Sequence, residues 1–562
     1  MPDYSNLSVL IVDPNQGMRA SLHNMLSMLY ITKVDDAVSA GTAIRQLSKK
    51  SYDVILCEYD LGNASGDSGQ DGQQLLEDLR NNKVIAQWTI FIMLTSEGVY
   101  GRVIGAAELL PTDYILKPFT VETLSQRFGR AIERRAIFLP VYQQISQGKV
   151  KEAVAACLAA EIAQPRYAAD FARLRAELLQ STGQIAAAEL AYASILQTKQ
   201  IGWAQLGQAR CMHLLKRHAE AQTALETLIA GNPKFMAAYD LLARVHRAQG
   251  NDEGAKHVLQ DAIAISPNMV GRLRNLGEVA LATGDVEGAE KAYKQVVAKA
   301  RYSEFRDPED HLNLVRTLVS KGDANGAASV VRDMERSLRA SPNVDVCRAF
   351  SSALVQEMNG NAEGAIAELT TALAALGEAR VSNTLKLGLA QSLMSNQMDD
   401  QANTLFSALT ADAGSGITDA QVVALCEKAG RTDMAERYGK KVDSEVDAMV
   451  RKAAEKSRSG DLRGAVAVMH EALRRRPDNT GLWTVAATAM LRQITDLGWD
   501  GPLAAQAAGL LKRIREDNPA HPLLAGLIAQ YQAARQKYNV APPATAAPQS
   551  PVQTQPAPVE SR

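Results

Sequence analysis

The chain has 562 residues, too many for one hydrophobic core, so several domains or a stacked repeat are expected. Its 61 basic and 62 acidic side chains leave a net charge of −1, which supplies no global field for nucleic acid or an anionic membrane. The apolar share of 46% and charged share of 22% are those of a folded protein, and an aromatic share of only 5% favours helices over sheets.

Five cysteines (Cys57, Cys157, Cys211, Cys347 and Cys426) are scattered and lack CxxC spacing, so they read as reduced core thiols rather than a disulfide or zinc framework. No basic region precedes the short apolar run near the start, and no run reaches membrane-spanning length. A cytoplasmic location without membrane insertion is therefore expected.

Residues 8–12 (SVLIV) form the unbroken apolar run of a parallel strand buried on both faces. Over 15–29, Met18, Leu22, Met25, Leu26 and Leu29 fall at helical spacing. The alternation repeats: strands are read over 52–57, 89–94 and 113–116, and helices over 72–80, 98–109 and 121–135. Such alternation implies right-handed crossovers and a parallel sheet covered on both sides. Ligands of such a sheet bind beyond the carboxyl ends of its strands. That edge is where Asp13, Glu58, Thr95 and Lys117 fall, after the first, third, fourth and fifth strands.

The segments LIVD (10–13), CEYDLG (57–62), MLTS (93–96) and YILKPF (114–119), in this order, resemble the receiver domain of bacterial response regulators. The resemblance runs from Leu7 to Phe119 and implies a doubly wound, five-stranded parallel sheet. It further implies that Asp13 binds metal, that Thr95 and Lys117 contact a phosphoryl group, and that Tyr114 is the aromatic that moves with the switch.

Two departures stand out. Glu58 occupies the phospho-acceptor position, where the family carries aspartate, and Pro14 replaces the second acid of the metal pair. Pro14 offers no side-chain oxygen and fixes its own φ, so Asp13 and Glu58 would make a weak magnesium site or none. Glu58 is not expected to be phosphorylated. Its longer side chain reaches toward Lys117, and an ion pair there would resemble the charges of a phosphoaspartate with fewer oxygens and less charge. Two readings of Glu58 stand: a built-in mimic that holds one conformation, or a drifted acid in a retired site. Asp60 is a weaker candidate acceptor, in a loop whose glycines and serines read as flexibility.

After about Arg135 the pattern becomes helix pairs, each marked by a glycine followed five residues later by an alanine, as in Gly148/Ala153, Gly250/Ala255 and Gly460/Ala465. Gly250 and Gly284 are 34 positions apart. Residues 236–268 resemble the tetratricopeptide repeat, with Tyr239, Leu242, Ala243, Ala255, Leu259, Ala262 and Pro267 at its signature positions. The turns near Lys216 and Gln397 lack the glycine, and the unit at Gly430 fits least well. About ten repeats are expected, stacked as an α-solenoid.

The boundaries read as a receiver-like domain at 1–135, repeats at 136–536 and a disordered Pro/Ala/Gln-rich tail at 537–562. Pro140 is expected to break the receiver's last helix near the handover. Arg474, Arg475 and Arg476 end a helix and read as complements to its dipole before an anion site.

This organisation points to a non-enzymatic two-component or phosphorelay adaptor. Its receiver, or pseudo-receiver, controls or localises a scaffold that binds protein partners through the concave face of the repeats. A histidine kinase or another signalling protein is the expected partner of the receiver. Two other readings are a regulator still competent for phosphorylation through an altered site, and a structural assembly factor for which the receiver is only a docking surface.

Overall fold

The computed structural model describes residues 4–62, 71–96, 111–267, 269–301, 305–339, 341–377 and 379–540. The helix expected at 98–109, most of the loop after Glu58 and nearly all of the tail lie outside these residues. The chain forms two compact units, Met1–Arg380 and Val381–Arg562, so the receiver-like segment and the earlier repeats share a unit.

Five strands, β1 (Ser8–Val12), β2 (Lys33–Ala37), β3 (Val54–Glu58), β4 (Ile90–Ser96) and β5 (Asp113–Lys117), build one sheet in the order β2-β1-β3-β4-β5. Every pairing is parallel. Helices α1 (Gln16–Met28), α2 (Ala40–Leu47), α3 (Gly72–Asn81) and α4 (Val121–Ser146) cover it. Alternate strand residues feed two cores. Leu10, Ile55 and Phe91 pack with α2 and α3, while Val9, Ile11, Leu56 and Ile92 pack with α1 and α4. The edge strand β2 (KVDDA) buries only Ala37 fully, so it lacks the apolar run that marks the other strands.

The helix expected to stop near Pro140 does not stop. Helix α4 runs 26 residues through the proline. Leu124, Phe128 and Ala131 lie in the sheet's core, whereas Phe138 and Val141 belong to the first repeat's core with Cys157 and Phe171. Pro140 itself faces solvent. Burial at both ends of the helix outweighs the local cost of a proline, about 3 kcal/mol in a helix interior.

Beyond α4 the repeats follow as helix pairs. Gly250 and Gly284 adopt φ of +76° and +78° at their turns, a left-handed backbone that side chains resist, and a Cβ there would meet nothing within 4 Å. Conformation, not space, therefore selects glycine at these turns. Lys216 and Gln397 take the same conformation, φ +65° and +60°, without glycine. The least regular unit, at Gly430, is a helix pair too, Asp419–Lys428 with Thr432–Arg458. Its second helix runs 27 residues and then turns at Gly460 to pair with Leu462–Arg475, which shortens the local period.

Ala243, Ala255 and Ala289 are buried at helix crossings, and Gly277 lies under the ring of Tyr293, where a Cβ would come within 2.6 Å of it. The Arg474–Arg476 cluster is fully committed: Arg474 pairs with Glu471, Arg475 with Asp419 and Glu445, and Arg476 with Asp443. All five cysteines are buried free thiols. No described helix is long and apolar enough to cross a membrane.

Candidate functional site

The carboxyl edge of the sheet gathers side chains from three strands. Parallel register sets Glu58 opposite Leu94 on β4, and Ser96 opposite Lys117 on β5. Asp13 follows β1 directly and is 1% exposed. Its backbone N–H donates to Ala37 O at 3.1 Å, which ties it to β2. The Lys117 ammonium reaches across the edge, forms an ion pair with Glu58 Oε2, and lies 3.2 Å from Asp13 Oδ2. One cation thus bridges two carboxylates.

The remaining carboxylate oxygens are engaged as well. Asp13 Oδ1 accepts the Asn15 N–H at 2.8 Å, and Glu58 Oε1 accepts the Asp60 N–H at 3.2 Å. Pro14 contributes only its carbonyl, which accepts from Arg19 Nη1 at 3.1 Å; the same nitrogen bonds Asp13 O at 2.7 Å. Arg19 was not singled out from the sequence, where it reads as one more polar residue of an amphipathic helix. Its role arises because helix α1 starts immediately after the site, with Asn15 as its cap.

Thr95 is fully buried, and its hydroxyl donates to Ser96 O at 3.4 Å. Tyr114 is half-buried on β5 and packs against the core on the α2/α3 side. Asp60 is exposed and its Oδ1 accepts the Gly62 N–H at 3.0 Å. The Lys117–Pro118 peptide is cis.

Gly72 completes the frame. Its N–H donates to Tyr59 O at 2.7 Å, and a Cβ here would stand 2.4 Å from Glu58 O and 2.9 Å from Met93 Sδ. Only glycine lets α3 start this close to the end of β3.

A magnesium ion needs near-octahedral oxygen donors, commonly one or two carboxylates with waters. Here an ammonium already stands between the two acids, and the position after Asp13 has no side-chain donor. Among the described residues, no group of three or more His, Cys, Asp or Glu side chains converges on a common metal position. The residues as arranged do not fit the ion.

Residues 9–128 match the response regulator receiver domain, and residues 215–270 match the tetratricopeptide repeat. The chain is 29% identical over 129 residues to the chemotaxis protein CheY-3 of Vibrio cholerae, a stretch covering 23% of this chain and 94% of that protein. It is 27% identical over 128 residues to the chemotaxis protein CheY of Pseudomonas aeruginosa, covering 23% and 98%. A tetratricopeptide repeat protein from Parabacteroides merdae, known as a crystal structure, is 14% identical at a TM-score of 0.33, over 46% of this chain and 98% of that one. The chain therefore joins a receiver domain of the response-regulator family to a run of tetratricopeptide repeats.

Proposed function

We propose that this protein is a non-enzymatic cytoplasmic signalling adaptor whose receiver is held in one state by charge rather than switched by phosphoryl transfer, and whose repeats bind a protein partner. The observation that carries this reading is the Lys117 ammonium bridging Glu58 and Asp13. In this reading Lys117 fills the role a metal and phosphoryl group would share. Glu58, at the acceptor position, is an ion-pair partner and not a nucleophile. Thr95 and Tyr114 keep the places that the receiver family gives its phosphoryl-contacting and switching residues. No metal takes part, because binding one would require expelling Lys117.

The test is incubation of the full chain with acetyl phosphate and magnesium, followed by intact mass measurement. No phosphorylated species is expected from the native protein, nor from Glu58→Asp alone, because Pro14 still denies the metal its second acid. A mass gain of one phosphoryl group on the native protein that disappears in Glu58→Gln would reverse the reading. A gain that survives Glu58→Gln and disappears in Asp60→Asn would move the acceptor to Asp60.

A further inference from the structure

Helix α3 carries two stripes. Gly72, Leu75, Leu76 and Leu79 are buried toward the sheet. Gln74, Glu77, Asp78 and Asn81 recur at the same 3–4 residue spacing two positions over, which makes them a second coherent face. That face is only partly exposed along Gln74, Glu77 and Asp78, with Asn81 open to solvent. It lines one wall of a cavity of about 320 Å³ whose other wall comes from the repeats, at Met269, Val270, Arg274, Lys299 and Phe305.

Opposite charges stand on the two sides of this junction. Asp71 at the start of α3 lies in the field of Lys299, Glu77 in that of Arg272, and Asp78 in that of Arg274. Phe305 adds an apolar contact to the receiver core formed by Leu75, Leu76 and Leu79. The repeat side is rigidly built. Arg272 holds Asp240 of the preceding repeat through bonds of 2.9 and 2.8 Å, and Arg274 holds Asp310 of the following one through bonds of 2.6 and 2.7 Å. Both arginines are thus held in place by neighbouring repeats, each as one half of an ion pair, and Asp307 stands on the same wall. Burial at the junction pushes the Glu77 carboxyl up to about 7.

We propose that this part of the repeats, the start of helix Val270–Ala282 with Lys299 and Phe305, is a recognition surface for an acidic helix, and that the receiver's own α3 occupies it as a competitor in cis. The partner is a protein presenting a helix with acidic and amide side chains at the spacing of Gln74, Glu77, Asp78 and Asn81. The inference rests on the reading that the repeats bind a protein. It adds where that binding occurs, the chemistry of the ligand, and why the receiver and repeats share a chain.

The probe is a fluorescent, helix-stapled peptide spanning residues 71–82, titrated into the full-length protein and read by anisotropy. Native protein is expected to bind it weakly, because the surface is occupied. The full-length Glu77→Arg/Asp78→Arg variant repels its own α3 and is expected to bind at least about tenfold tighter, as the competent fraction rises. Adding Lys299→Glu to that variant should remove the gain.

Hydrogen exchange on the same proteins checks that the double variant stays folded, with β1 and β3 still protected while residues 269–282 open. Equal peptide affinity in the native and double-variant proteins, with both folded, would overturn the proposal. If the double variant is unfolded, Lys299→Glu alone decides, because this half-buried lysine belongs to neither core and can be reversed without disturbing them. Faster exchange at α3 supports the docking, and unchanged exchange removes it. A partner captured equally by the native and variant proteins would leave the scaffold reading intact and remove only the competition.

Discussion

Single residues set the state of the receiver edge, and their roles differ in how far the sequence reveals them. Asp13, Glu58, Thr95 and Lys117 were legible because strand–helix alternation forces strand ends to one edge. The bridging position of Lys117 between two acids was only half legible: Glu58 and Lys117 read as ends of adjacent strands, but β4 lies between β3 and β5, so the lysine side chain must cross β4 to reach Glu58 and go further still to reach Asp13. Arg19 and Gly72 were not legible as site residues, since neither carries a motif and each acts through backbone geometry. Gly72 supports a direct prediction. Gly72→Ala must displace the Glu58 carbonyl or the α3 N-terminus, so it should destabilise the receiver by about 1–3 kcal/mol, the usual cost of overpacking. Urea denaturation followed at residues 8–58 by hydrogen exchange measures this. An unchanged midpoint would show that the close approach of α3 to β3 relaxes freely.

At the level of elements, periodicity was informative wherever an element buries a face, and silent where it does not. Strand β2 has no apolar run because it lies at the sheet's edge, with a strand on one side alone and with polar side chains of α1, Arg19 and His23, against its Asp36. The turns at Lys216 and Gln397 show the converse: helix pairing imposes the left-handed turn even where the local residue disfavours it. Helix α4 continues through Pro140 because proline's local rule competes with two cores that bury the same helix. The proline is exposed, and its missing N–H leaves the Ala136 carbonyl without a helical partner. Pro140→Ala should therefore stabilise the junction by about 1–3 kcal/mol. A rise in the urea midpoint would register this. A fall would mean that the kink itself positions the first repeat.

Across the whole molecule, the docking of receiver on repeats carries a pH signature. Glu77 has an ordinary value of 4.5 and is raised to about 7, first by burial and then by the neighbouring Asp71 and Asp78, against the hydrogen bond from Gln73 and the field of Arg272. A carboxyl raised in the docked state favours docking fully below its undocked value. That contribution fades as pH rises from about 4.5 to about 7 and is gone above it. Glu77→Gln removes the titration while keeping the shape. The melting temperature of the variant relative to the native chain should thus be higher at pH 8 than at pH 5; a constant difference would show that Glu77 does not titrate in this range.

The shared helix has a consequence of another kind. Because α4 is continuous from the receiver core to the first repeat, the number of residues between Ala131 and Phe138 fixes a rotational phase. One inserted residue would turn everything beyond it by about 100° about the helix axis, while seven would nearly restore the original direction. Arg272, Arg274 and Phe305 meet α3 only because that angle is right. Chain length within this one helix is therefore counted in turns, and a sequence of this kind can drift freely in residue identity along the exposed side of α4 while tolerating almost no change in residue number.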